Sequence, residues 1–538
     1  MQGLKTGSSL HPEQQEQFQD LQDKLRQRWN SIDDSISHAA QDDCDILVIP
    51  SLSLDQEELQ KVTGVHYYEE RLLFSLIRLC NPRNRIIYIT SQPIHPNIID
   101  YYLQLLPGIP ISHARERLLL LCTYDTSHKP LTQKILERPR LVERLRQALR
   151  QNQAYMTCFN STVLERELAI RLGVPLLGLD PDLLYWGTKS GSRQIFAEAG
   201  LPYPDGSELV WTADDLAAEA AALWERQPQL KRIVVKLNEG FSGGGNALLD
   251  LRPLAQVAPG MASVSARIAR IREQFERLSF QTATETWSHF SARIPQLGAI
   301  VEAFVEGAEK RSPSVQGRIT PTGAVEILST HDQILGGPDG QVFLGCQFPA
   351  DDVYRLQLQE YGRRVGENLA AKGALERFGL DFIAVRQPDD SWDLQAIEIN
   401  LRKGGTTHPF MTLKLLTHGR YDLSTGLFYN YQGQAKYYMA TDNLHNDAYQ
   451  GLLPSDLMDL IARHNLHFNS TTETGTVFHL IGCLSEFGKL GLTSIGNTPE
   501  EAELIYNNVI QVLDQETSTT APLTLAVPAF RRTWQGQV

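Results

Sequence analysis

Gly379-Leu-Asp-Phe-Ile-Ala-Val-Arg386 and Leu394-Gln-Ala-Ile-Glu-Ile-Asn-Leu-Arg402-Lys-Gly-Gly-Thr-Thr-His-Pro409 decide how this chain is read. Both stretches alternate polar with apolar residues, and Gln387-Pro-Asp-Asp-Ser391 between them is turn chemistry, so they read as a β-hairpin or as neighbouring strands. Alternation puts Glu398 and Asn400 on one face, with Asp381 able to join them from the first strand and Ile397, Ile399, Phe382 and Ala384 packed beneath. Two carboxylates and a carboxamide suit Mg²⁺, which completes its octahedron with water and substrate phosphates. Seen alone, a Glu-x-Asn pair on a strand is only the solvated face of an amphipathic strand, so other elements must carry the reading.

Two do. Arg232-Ile-Val-Val-Lys236-Leu-Asn-Glu-Gly240-Phe-Ser-Gly-Gly-Gly245-Asn is an apolar strand that ends in a lysine and runs into a glycine-rich loop. Glycines let backbone N–H groups approach phosphate oxygens, and the lysine adds a point charge. Gly298-Ala-Ile-Val-Glu302-Ala-Phe-Val-Glu306-Gly-Ala-Glu309 is an apolar strand with spaced carboxylates.

In this order the elements resemble the ATP-grasp superfamily over about residues 180 to 420, and the strength of the match lies in order and spacing. More narrowly, Ser312-Pro-Ser-Val-Gln-Gly317 and the run from Asn400 to Pro409 are similar to the peptide ligases related to the pheganomycin-type ligase. The resemblance implies a two-lobed clamp on ATP and Mg²⁺, with Mn²⁺ as an alternative ion. It implies that Lys189 and Lys236 hold phosphates and that the loop with Gly243, Gly244 and Gly245 covers them. Glu302, Phe304 and Val305 would line the adenine pocket, Glu309 would meet the ribose, and Asp381, Glu398 and Asn400 would carry the metal. Arg402 would meet an acceptor carboxylate, with Lys236 and Arg402 as the catalytic pair. Ligases of this superfamily carry an arginine two residues before the first metal aspartate. This chain has Gly379 there, so charge compensation on the transferring phosphate falls to Arg402 or Arg386.

The chain of 538 residues is too long for one core. Its 42% hydrophobic and 21% charged content is ordinary for globular proteins, and a net charge of −13 disfavours nucleic acid or an anionic membrane as partner. Six cysteines without a C-x-x-C pair read as reduced thiols of a cytoplasmic protein. No window approaches 18 apolar residues, and the first residues lack an apolar leader.

The expected organisation is a polar segment over 1–43, a Rossmann-like pre-ATP-grasp domain over 44–180, the ATP-grasp domain over 181–430 and a small α+β domain over 431–538. Short apolar strands alternating with helical segments predict a covered parallel sheet in the second unit, and no G-x-G-x-x-G marks a dinucleotide. Gly187-Thr-Lys189-Ser-Gly-Ser-Arg193 lacks the first glycine of a phosphate P-loop. Thr330-His-Asp-Gln333 reads as a polar loop, whose His331, Asp332 and Gln333 either face a substrate or, as is commoner for such clusters, are merely solvated, and His479 reads as a core residue on an apolar strand.

An amide-forming ligase turns a carboxylate oxygen into a leaving group by way of an acylphosphate, which an amine then displaces. Positioning and charge neutralisation dominate such chemistry. The leading expectation is an ADP-forming carboxylate–amine ligase with small-molecule acid and amine substrates. An ATP-grasp kinase and a non-catalytic MgATP-binding protein are the alternatives, and a homodimer is left open.

Overall fold

A computed structural model describes residues 11–32, 42–54, 56–106, 108–240, 245–281, 285–336 and 342–518. The amino-terminal domain holds five parallel strands, β1 (Cys44–Ile49), β2 (Asn84–Thr90), β3 (Leu118–Cys122), β4 (Ala154–Cys158) and β5 (Leu176–Leu177), in the order β3-β2-β1-β4-β5. Strand β1 is buried throughout because its unbroken apolar run faces helices on both sides. Thr162 and Glu165 close a capping box on helix Val163–Leu172, and Gly173 ends it in the left-handed region, as the sequence predicts.

The helical spacing of Glu13 to Trp29 in the polar first segment is realised as a helix with one face buried. Helix Pro12–Ile32 buries Phe18, Leu21, Leu25, Trp29 and Ile32, a stripe at helical spacing, and Gln22 bonds to both backbone groups of Leu176 at 2.9 Å. The apolar stripe was present under the glutamines and docks the helix on the parallel sheet.

A small antiparallel sheet follows, made of β6 (Arg232–Leu237), β7 (Asn246–Asp250), β8 (Ser279–Phe280) and β9 (Ala299–Ala303) in the order β8-β7-β6-β9. Its core of Leu216, Ile233, Leu249, Ile271, Phe290 and Val301 draws only on residues between 216 and 301. The large sheet begins with β10 (Lys310–Ile319), β11 (Val325–Gly336), β12 (Val342–Phe348), β13 (Glu376–Arg386) and β14 (Trp392–Asn400). Helices Lys189–Ala199 and Arg355–Ala371 supply Phe196, Leu358, Val365 and Leu369 to a core with Phe378, Leu380, Phe382 and Ile399.

Strands β15 (Arg420–Asp422), β16 (Leu427–Tyr429), β17 (Ala435–His445), β18 (Gly475–His479) and β19 (Lys489–Gly496) come next. The expected boundary at 430 falls inside one sheet, since β17 pairs with β12 through Cys346 and Ala440 and with β19 on its other side. The α+β content expected there is present, but it extends the lobe's sheet. The reason is the length of β17, which pairs with β19 from Tyr437 to His445, with β12 through Tyr438 to Ala440 and with β16 through Ala435 and Lys436. Thr330 to Gln333, read as a loop, lies within β11. His479 is buried and stacks on His408 at 3.9 Å between ring centroids.

Candidate active site

A cavity of about 1150 Å³ opens between the small sheet and the large one. Lys236, Glu302, Phe304 and Val305 line it from one side, and Asp381, Glu398, Asn400 and Arg402 from the other. Residues of the amino-terminal domain and of the carboxy-terminal strands complete its wall.

The hairpin forms as expected, with Asp381 opposite Glu398 and Gly379 opposite Asn400. Its register shifts after Asp381, so that Phe382 faces Ala396 and Ile397 is left as the extra residue of a β-bulge. The bulge changes the parity of β14. Leu394 and Ala396 are buried on one side of it and Ile399 and Leu401 on the other, while Ile397 lines the cavity with Glu398. The expectation that Ile397 packs beneath the carboxylates is corrected on this ground. Without the bulge, Leu394 and Glu398 would share a face.

Asn400 Nδ2 donates to Asp381 Oδ2 at 2.9 Å and Gln333 Nε2 to Asp381 Oδ1 at 2.6 Å. Burial and the facing Glu398 push the Asp381 carboxyl up to about 6, against the pull of Gln333, Arg402 and Lys189. Burial also opposes the charge on Glu398, but Lys189, Lys236 and Arg402 outweigh it and hold that carboxyl below its ordinary value. Lys189, the first residue of its helix, ion-pairs with Glu398, and its backbone N–H donates to Asn238 O at 3.0 Å. Thr188 caps the helix through Gly191.

Across the cavity, Lys236 Nζ lies 2.5 Å from Glu302 Oε2, and Arg193 Nη1 lies 3.1 Å from Glu302 Oε1. Glu302 thus contributes a buried carboxylate that clamps two cations, in addition to any backbone contact. Gly245 accepts a hydrogen bond from Leu237 N at 2.8 Å beside the cavity, while Gly243 and Gly244 lie outside the described residues. Glu309 is not brought in. Its carboxylate turns to Arg386 at 3.0 Å and Arg311 at 3.6 Å, and it does not line the cavity.

The sequence of residues 183–259 and 255–424 matches a family model described as IQCH-like, ATP-grasp, and residues 456–509 match one described as PGM1 C-terminal domain. An L-propargylglycine–L-glutamate ligase from Streptantibioticus cattleyicolor is 30% identical over 476 residues, covering 87% of this chain and 93% of that protein. The chain belongs to the ATP-grasp family. IQ motif-containing protein H from Danio rerio is 24% identical over 421 residues, covering 71% of this chain and 39% of that protein. A pyruvate carboxylase structure from Rhizobium etli shares the fold with a TM-score of 0.50 at 13% identity, over 87% of this chain and 37% of that one.

Within the ATP-grasp site, the position left without arginine at Gly379 lies opposite Asn400, two residues before Arg402, and lines the same cavity as that arginine. Arg402 lines the cavity and interacts with both Glu398 and Asp381, whereas Arg386 pairs with Glu309 and with Asp390 at 2.9 Å away from the lining. Sequence reasoning missed Arg193 and weighed Gln333 only as one residue of a polar loop that could face a substrate; their partners lie 109 and 48 positions away. The glutamine's place on an alternating strand was the one available signal, hidden by the loop reading. The donor set also fits a divalent cation. Among the described residues no three His, Cys, Asp or Glu side chains gather, but Asp381, Glu398 and Asn400 present oxygens at one sheet end and leave coordination positions for water and phosphate.

Proposed function

We propose that this chain is an ATP-dependent carboxylate–amine ligase that forms a C–N bond and releases ADP. The observation that carries this reading is the single cavity shared by Lys236 and Glu302 of one sheet and Asp381, Glu398 and Asn400 of the other. Its volume of about 1150 Å³ suits a nucleotide together with two small substrates.

In this reading a substrate carboxylate oxygen attacks the γ-phosphorus of ATP, ADP departs, and an amine nitrogen then attacks the acyl carbon and expels phosphate. Lys236, held by Glu302, and Lys189, held by Glu398, are preset cations for the phosphate chain. Asp381, Glu398 and Asn400 would hold Mg²⁺, or Mn²⁺ with the same oxygen set, and such an ion supplies charge neutralisation on the phosphates. Phe304 and Val305 flank the nucleotide base, and Arg402 takes over the guanidinium role that Gly379 vacates. Glu309, facing Arg386 and Arg311, has no part in this arrangement.

The relative from Streptantibioticus is named for joining two amino acids, which makes amino acids the first substrates to try. ADP release coupled to an optical assay, over a panel of acids and amines and followed by mass measurement of products, tests the reading. An amide product supports it. A stable phosphorylated product without an amine would favour a kinase, and no ADP with any pair would favour a MgATP-binding protein. Among the described residues no helix is long and apolar enough to cross a membrane. A cytoplasmic location agrees with six cysteines that form no disulfide among the described residues, and a homodimer is to be checked by sedimentation.

A further inference from the structure

Away from the metal strand, the cavity wall is built by segments that lie outside both ATP-grasp sheets' nucleotide edges. Tyr68 and Arg71 come from the single helical stretch Val65–Cys80 of the amino-terminal domain, Asp442 from β17 and Lys489 from the start of β19. They form one cluster. Lys489 Nζ donates to the Tyr68 hydroxyl at 2.6 Å and sits 5.0 Å from the Tyr68 ring centre, Arg71 stacks on the same ring at 4.6 Å, and Arg71 Nη1 bonds Asp442 at 3.0 Å.

The charges in this cluster do not balance. Asp442 answers Arg71, but among the described residues Lys489 has no carboxylate partner, and its ammonium is paired with a neutral phenol. Lys489 is only 7% exposed. A buried ammonium without a counter-ion costs several kcal/mol unless an anion reaches it. The wall it belongs to faces the substrate cavity, and Lys189 and Lys236 are already committed to Glu398 and Glu302 on the nucleotide side.

We infer that Lys489, steadied by Tyr68 and flanked by Arg71, binds a substrate carboxylate that does not itself react. The substrate carrying it is therefore an amino acid or a dicarboxylic acid, as opposed to a simple amine or monoacid. The inference rests on the ligase reading, and it adds a specificity site on residues that neither lobe's nucleotide edge supplies. Arg402 lines the same cavity and lies within electrostatic reach of both groups, attracted by Glu398 and Asp381 and repelled by Arg71.

The test reads binding first and turnover second. The twenty L-amino acids and their carboxamides are titrated calorimetrically into the full chain holding MgADP, in wild type, Lys489→Met and Lys489→Gln. Methionine keeps the apolar stem, and neither substitution strands a carboxylate. The expected result is an acid that binds at least tenfold more tightly than its amide in wild type, with that preference gone in both variants and the amide's affinity unchanged. Acids that bind the variants as tightly as wild type, or no acid that binds better than its amide, would overturn the inference. An equal loss of MgADP affinity in the variants would also overturn it, because the lysine would then serve the nucleotide. In turnover, amidating the amine substrate or the second carboxyl of the acid substrate shows which of them occupies the site. Absence of ADP release with every pair counts against the ligase reading alone, because the calorimetric preference stands without catalysis.

Discussion

Lys189 and Glu398, 209 positions apart, form an ion pair that joins the start of a helix to the end of strand β14. Their meeting fixes where the nucleotide side of the cavity meets its acidic edge. Glu398 is held as an anion by three cations in spite of its burial, so it is charged at any working pH above its depressed ionisation.

Glu398→Gln therefore removes a charge that the site is arranged to keep. Turnover should fall at least about a hundredfold, while the unfolding temperature changes little, because glutamine keeps the shape and a hydrogen bond to Lys189. ADP release and circular dichroism on the same preparation check both halves, and wild-type rates would refute the assignment.

Lys236→Ala is expected to leave the protein folded, since Glu302 retains Arg193 at 3.1 Å. It should raise the KM for ATP roughly tenfold and lower kcat by a further tenfold or more, each tenfold being about 1.4 kcal/mol. Steady-state kinetics with ATP varied at saturating Mg²⁺ separates the two effects.

Gln333→Leu tests a contact that lies 48 positions from its partner. The amide favours the charged form of Asp381, whose carboxyl already stands at about 6, so its loss raises that ionisation further. The Mg²⁺ concentration for half-maximal rate should then rise more steeply below pH 7 in the variant than in wild type, by about tenfold at pH 6 for a lost charged hydrogen bond of ~1.5 kcal/mol. Identical Mg²⁺ dependence at pH 6 and pH 8 would count against the metal role of Asp381.

Glu70 gives a pH dependence of stability. Burial pushes its carboxyl up to about 7, only partly offset by the backbone N–H groups of Gly482 and Ile481. The folded state holds this proton more tightly than the unfolded chain does, so its contribution is complete below about 4.5 and is lost as pH rises to about 7. Glu70→Gln should flatten the fall in stability across that window, by up to roughly 3 kcal/mol. Chemical denaturation of wild type and variant at pH 5 and pH 7.5 measures the difference in slope.

The hairpin, the lysine-ended strand and the parallel domain were legible because each is written locally, in alternation, in a glycine run and in unbroken apolar strands. The bulge at Ile397 left a local trace that was passed over: the apolar positions run Leu394, Ala396 and then, with parity changed, Ile397, Ile399 and Leu401, and the small Ala396 beside Ile397 masks the break. Glu302 read as a wall residue of the adenine pocket, and only the fold brings Arg193 and Lys236 to its two oxygens. The extent of the large sheet was hidden for a similar reason. Pairing of Cys346 with Ala440 is a long-range event, and a strand's own residues do not say whose edge it will join.

The distribution of apolar packing has a mechanical consequence. One core runs through Ile46 and Leu73 of the amino-terminal domain, Phe348 and Phe410 of the large lobe, and Phe478 and Val509 of the final segment, whereas the sheet carrying Lys236 is packed only on itself. The hairpin of Asp381 and Glu398 packs on a second core with Phe378 and Leu380, and the Lys236 sheet meets the amino-terminal domain through Arg293 and Glu58 at 2.9 Å. The Lys236 sheet thus carries its own apolar support, so a crosslink from it to the neighbouring body should spare the fold, and the turnover of the crosslinked protein measures how far that sheet must travel in the cycle.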